Sequence, residues 1–139
     1  MIYASDLFSK FWVRRAMPLG AEIRLLPFFS LTHVENTGIA FGMLQQMNHL
    51  LLIAGAALTA LLVWMAVRSR SKDRFTTLVL AGILGGAAGN LTDRVLQARV
   101  TDFFDFYIGP HHWPAFNVAD SAICVGAGLL ILHGLKRTE

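Results

Sequence analysis

The sequence has one cysteine, Cys124, so no internal disulfide can form. It lies inside an apolar run and reads as a small hydrophobe. Charge is scarce as well: 15% of the 139 residues are charged and 55% are hydrophobic. An ordinary soluble domain carries about 25% charged residues, so the composition points to a membrane protein of one domain spanning 1–139. The net charge is only +3, and the basic residues cluster beside apolar runs. That pattern marks topology rather than a nucleic-acid surface. No cleavable small-residue site follows a charged N-terminal region, so no secretory signal peptide is expected. HExxH and GxSxG are missing, which removes the usual sequence support for a zinc peptidase or an elbow-type serine nucleophile. There is no internal repeat and no low-complexity tract.

What is present is a set of long apolar runs. Residues 48–67 and 75–93 are long enough to span a bilayer, and 118–135 forms a last span. The run RSRSKDR at 68–74 holds four basic residues against one acidic one and predicts a cytoplasmic loop. His133, Lys136 and Arg137 mark the cytoplasmic end of the last span. The 95–116 segment is then an outer loop, with Arg99 its one basic residue and six aromatics suited to the lipid headgroup level. Residues 14–47 carry Arg14, Arg15, Glu22, Arg24 and Glu35, with Pro18 and Pro27. They cannot span. A partial alternation from Ile23 to Leu31 and a turn at Asn36-Thr37-Gly38 predict a small amphipathic sheet on the outer surface. Residues 1–13 reach about 20 Å as a helix, short of a bilayer core of about 30 Å. They form a stub, either a cut span or an interfacial segment. Asp6 and Lys10 share one face of it, as an ion pair with a function or as a solvated surface pair.

The fold expected is therefore an all-α transmembrane bundle of three full spans and a stub, with a small outer-surface sheet. Small residues spaced four apart, Gly82 with Gly86 and Gly85 with Gly89, predict close helix packing. Asn90, Asp93 and Arg94 share one helical face where the second span emerges. Asn117, Asp120 and Ser121 share another where the last span begins. Polar groups kept beside lipid usually serve function. Two carboxylates brought together share a proton and can act as base and acid on a peptide bond without metal or covalent intermediate. Four aspartates qualify: Asp93, Asp102, Asp105 and Asp120. Asp93 also reads as an ion-pair partner of Arg94, and Asp105 as a solvated residue at a loop tip. Spacing does not choose among the four. His111 and His112 with Asp102 or Asp105 are a zinc alternative, weakened because adjacent histidine side chains diverge. Ser121, and Ser9 with Lys10, are alternatives as nucleophiles, although Ser121 suits a bond to its own helix. A cysteine peptidase on Cys124 would place its thiol one turn inside the bilayer.

Four motifs in order, NTGIAF at 36–41, GGAAGNLTDR at 85–94, VTDFFDFY at 100–107 and FNVADSAI at 116–123, resemble those of the bacterial lipoprotein signal peptidases, the signal peptidase II family. SDLFSK at 5–10 is similar to that family's Asp-xxx-Lys segment. The resemblance implies a multi-pass aspartic endopeptidase of the bacterial inner membrane, without cofactor or metal and monomeric, with its site at the outer face. It would cut prolipoproteins just before a diacylglyceryl-modified cysteine, among membrane lipid and with no nucleic-acid partner, and be a target of globomycin. The implied catalytic pair is Asp102 and Asp120. Asn36, Asn90, Asp93, Arg94 and Asn117 match residues lining or supporting the site, and Asp6 and Lys10 match the first-helix pair. The sequence departs from the family in one respect, since five residues precede Asp6. That predicts a weakly docked first-helix wall. The alternative function is a non-enzymatic membrane protein, a carrier subunit or an inactive truncated homologue; acidic residues at span mouths rather than the midplane count against a carrier.

Overall fold

A computed structural model describes residues 1–39, 43–68 and 73–136. Ala40 and Phe41 of the NTGIAF motif, Arg70 and Lys72 of the basic run, and Arg137 lie outside the described residues. The described residues form four helices and a four-stranded sheet. The helices are α1 (Ile2–Ala16), α2 (Asn48–Arg68), α3 (Arg74–Gln97) and α4 (Val118–Lys136). The strands are β1 (Glu22–Leu26), β2 (Phe29–Asn36), β3 (Val100–Ile108) and β4 (His111–His112), in the order β1-β2-β3-β4.

Helices α2, α3 and α4 have the length and apolar character to cross a membrane. At 1.5 Å per residue they reach about 28–36 Å. None of the residues of α2 is buried inside the protein. Leu50, Ile53, Leu58, Leu61, Trp64 and Met65 face outward, where lipid is the natural contact. Helix α3 begins on Asp73, whose carboxylate accepts from the backbone N–H groups of Phe75 and Thr76. It ends on Ala98 in the left-handed conformation, φ 58°, with its N–H returned to the Arg94 carbonyl. At the far end of α4, His133 Nε2 meets Asp73 Oδ2 at 2.8 Å and ties the two helices together.

The sheet extends further than its sequence pattern suggests. The segment read as an outer loop, 95–116, holds β3 and β4, and β3 is an inner strand of the sheet. VTDFFDFYI is rich in β-branched and aromatic residues, a strand signal that a headgroup-level reading of the aromatics overlooks. Strands β2 and β3 pair antiparallel, with Val34 opposite Asp102 and Asn36 opposite Val100. One extra residue on β2 between Leu31 and Val34 makes a bulge. Phe104 pairs with Phe116, which brings the chain entering α4 against β3. A small core of Val13, Met17 and Phe103, with Ala21, Leu31, Phe104 and Val118 around it, locks the end of α1 and the start of α4 to the sheet.

The first helix is not loosely docked, and its charged pair is not at the surface. Asp6 and Lys10 are fully buried, with Lys10 Nζ 2.7 Å from Asp6 Oδ2. Gly85 and Gly89 of α3 let α1 approach: a side chain on Gly85 would meet Ile2 and Tyr3, and one on Gly89 would meet Asp6. Gly86 serves α4 instead, with the Ala119 carbonyl 2.6 Å from where its Cβ would be, while Gly82 has nothing within 4 Å. The expected glycine packing therefore holds at three of the four positions.

Candidate active site

Asp102 lies on β3 and Asp120 in the first turn of α4. Asn36 is the diagonal neighbour of Asp102 across the β2–β3 pair, on the same face of the sheet. Its Nδ2 donates to Asp102 Oδ2 at 3.0 Å. Asn117 precedes α4 and acts as its N-cap. Its Oδ1 accepts from the Asp120 backbone N–H at 2.9 Å, and Asp120 Oδ2 accepts from the Asn117 N–H at 3.2 Å. This is a reciprocal capping box with Asn and Asp as its two members. The same Asn117 donates from Nδ2 to Asp102 Oδ1 at 2.7 Å. One fully buried asparagine thus holds both carboxylates.

The remaining polar residues form a second layer. Asn90 Nδ2 donates to Asp120 Oδ1 at 2.7 Å, and Lys10 Nζ donates to Asn90 Oδ1 at 2.8 Å. Asp6 Oδ1 accepts from the Ala119 N–H at 2.9 Å, so α1 also caps α4. Asp93 is not paired with Arg94. It accepts from Arg14 and Gln97, both at 3.2 Å, and from the Thr101 N–H at 3.1 Å, and lies 3.4 Å from Lys10. It thereby ties α1, α3 and β3 together. Arg94 donates from Nη2 to the Gly38 carbonyl at 2.6 Å, and its buried Nη1 faces no acceptor among the described residues.

A cavity of about 620 Å³ opens beside these groups. Asn36, Asn90, Arg94, Asp102, Asp120 and Ser121 supply its polar lining; Val100, Trp113, Phe116 and Cys124 are among its apolar lining. Asp102 is 2% exposed. Burial, followed by the negative charge of Asp120, pushes its carboxyl up to about 7 from an ordinary 3.8. Such a group is an acid and a base within reach of neutral pH, which is the requirement for general acid–base work.

Of the four aspartates left open by spacing, only Asp102 and Asp120 line the cavity. Asp93 is enclosed in its network. Asp105 is buried rather than solvated: it faces Ser30 across the sheet, accepts its hydroxyl at 3.0 Å and pairs with His112 Nδ1 at 2.8 Å. His111 and His112 form β4, and among the described residues no three metal-binding side chains come together. Ser121 donates to the Asn117 carbonyl of its own helix, and Cys124 lines the cavity one turn below Asp120. Sequence reading missed Arg14, which also donates to Thr101 Oγ1 at 2.9 Å. Its signal was available, since Asp6, Lys10 and Arg14 recur every four residues along one face.

Fold and site together define a multi-pass helical membrane protein with two carboxylates converging on a cavity beneath a small sheet. A sequence profile described as signal peptidase (SPase) II matches residues 1–136. A lipoprotein signal peptidase from Maridesulfovibrio salexigens is 47% identical over 139 aligned positions, covering 94% of this chain and 88% of the relative. One from Vibrio parahaemolyticus is 39% identical, covering all of this chain and 86% of the relative. A bacterial membrane enzyme solved by the in meso method at 2.3 Å resolution superposes with a TM-score of 0.91 at 29% identity, over 99% of this chain and 85% of that one. The chain belongs to the signal peptidase II family, and is a membrane protease.

Proposed function

We propose that this protease is an aspartic endopeptidase that removes signal peptides from prolipoproteins, cutting just before a diacylglyceryl-modified cysteine. The observation that carries the reading is the convergence of Asp102 and Asp120 on one cavity, both held by Asn117. In this chemistry one carboxylate takes a proton from water while the other gives its proton to the peptide carbonyl oxygen. The water oxygen bonds to the carbonyl carbon. Collapse of the tetrahedral intermediate breaks the C–N bond, and the leaving amine takes up a proton from the pair. Asn36, Asn90 and Asn117 fix the carboxylates; Arg94 offers a guanidinium N–H to substrate; Asp93, Asp6 and Lys10 hold the walls together. The protein acts as a monomer in the bacterial inner membrane, among membrane lipid, with the site at the outer face.

The test is cleavage of a purified diacylglyceryl prolipoprotein. Asp102→Asn and Asp120→Asn are each expected to abolish cleavage while the protein remains folded in detergent. Strong chelators are expected to leave the wild-type rate unchanged, because the pair supplies both base and acid. Near wild-type turnover in either variant, or zinc-dependent rescue after EDTA, refutes the aspartic assignment.

A further inference from the structure

The two carboxylates are held by unlike surroundings. Asp102 receives two side-chain amides, from Asn36 and Asn117. Asp120 sits in the first turn of α4, at the positive end of the helix, and receives a backbone N–H together with the amide of Asn90. Behind Asn90 stands Lys10, whose ammonium is fully buried. An ammonium can only donate, so Asn90 must turn its oxygen to Lys10. Its NH2 group is then committed to Asp120. Asn117 Nδ2, 3.3 Å from the same oxygen, supports that orientation. A carboxylate accepts such a donor at every lone pair, whereas a protonated carboxyl gives up acceptor capacity to its own O–H.

We propose that Lys10 is a positioning residue for catalysis: by fixing the direction of the Asn90 amide it keeps the negative charge of the pair on Asp120 and leaves the shared proton on Asp102. Asp120 is then the base toward water and Asp102 the acid toward the carbonyl oxygen. The lysine works through Asn90 and does not touch the reacting atoms. Asp6 and Asp93 have a complementary task. They hold the Lys10 ammonium in place, at 2.7 and 3.4 Å. The charged groups that act on Asp120 are Lys10 of α1, Arg94 of α3 and Asp102 of β3. Among them Lys10 is the cation whose hydrogen bond reaches Asp120 through a single intervening side chain. The high proton affinity of Asp102, titrating at about 7, agrees with the assignment.

The inference rests on the paired-aspartate reading, and the pH profile of kcat/KM separates the two. Replacing Lys10 alone would strand two buried carboxylates, so the variant is Lys10→Met with Asp6→Asn, which removes an ion pair together. Its acidic limb is expected to move up by about one pH unit, because Asn90 is free to turn and Asp120 then ionises less readily. KM is expected to stay unchanged. A second variant, Asn90→Leu, leaves the Asp6–Lys10–Asp93 ion pairs whole and cuts the link itself. It is expected to move the same limb in the same direction, and it reads the proposal if the double variant does not fold. A purely structural role for Lys10 would lower the amount of active enzyme without moving either limb. A profile superimposable on wild type after scaling, in whichever variant folds, overturns the inference. If Asp102→Asn or Asp120→Asn remains active, the paired-aspartate reading itself has failed.

Discussion

Asp102 carries an electrostatic burden that its burial in the sheet imposes. Its carboxyl titrates at about 7 in the folded protein against 3.8 in an unfolded chain, chiefly because burial disfavours the charge. Between those values the folded state keeps a proton that the unfolded state releases. Stability therefore falls as pH rises from about 4 to about 7 and is flat above. The shift corresponds to roughly 3–5 kcal/mol at pH 8. Asp102→Asn removes that penalty while retaining the hydrogen-bonding shape. Its melting temperature in detergent is expected to exceed wild type at pH 8, and the gain to shrink as pH is lowered towards 4. A gain that does not change over that range would show that burial does not shift this carboxyl. On the activity side, cleavage is expected to decline as pH rises through about 7, where the pair loses its last proton.

At the scale of elements, the site depends on three helices and two strands meeting with little room between them. Helices α1 and α3 meet closely at Gly89. A Cβ there would fall on the Asp6 carboxylate, which cannot retreat because it is held by Lys10 and the Ala119 N–H. Gly89→Ala is therefore expected to push α1 off α3 and to cost about 1–3 kcal/mol. Gly82→Ala on the same helix is the control. Nothing lies within 4 Å of its added methyl, and alanine favours helix by about 1 kcal/mol. Melting in detergent should fall for the first and hold or rise for the second. Equal behaviour would mean that α1 is not seated through Gly89. The same geometry explains why the short first helix is well anchored. Its 15 residues reach only about 22 Å, yet they bury Asp6, Lys10 and Val13 against α3, α4 and β3. Removing one member of such a buried charge network commonly costs 3–5 kcal/mol, since its partners are left uncompensated.

For the whole molecule, orientation decides whether the cavity meets a translocated substrate. Arg68 and Arg74 flank the sequence between α2 and α3, and Lys136 closes α4. The cavity lies at the other end of α3 and α4, where Asn90, Asp93 and Asp120 are found. Positive charge is retained in the cytoplasm, so the sheet and cavity are expected outside. In a Cys124→Ala background, a cysteine at Gly109 should label with an impermeant thiol reagent from the outside of intact cells, and one at Arg68 only after permeabilisation. The reverse pattern would place the cavity in the cytoplasm and remove the route to a secreted prolipoprotein.

Sequence alone determined the membrane class, the three long helices and the helix ends at which polar residues gather. These follow from local properties: runs of apolar side chains, and charge at their ends. It also marked Asp102 and Asp120 through the ordered family motifs, while spacing left four aspartates open. Only tertiary structure decided among their surroundings. Asp105 looked solvated until Ser30 and His112 were brought across the sheet to it, and Asp93 looked like the partner of Arg94 until α1 delivered Lys10 and Arg14. Each of those contacts except the one with His112 joins residues 75 or more positions apart. No periodicity in the chain records such a pairing. The strand character of 100–108 was legible in its composition but ambiguous, because aromatic residues suit a sheet and a lipid interface for the same reason: both are half-buried surfaces. Pairing with β2 resolves that ambiguity, since hydrogen bonds to a neighbouring strand are a property of two segments and not of one.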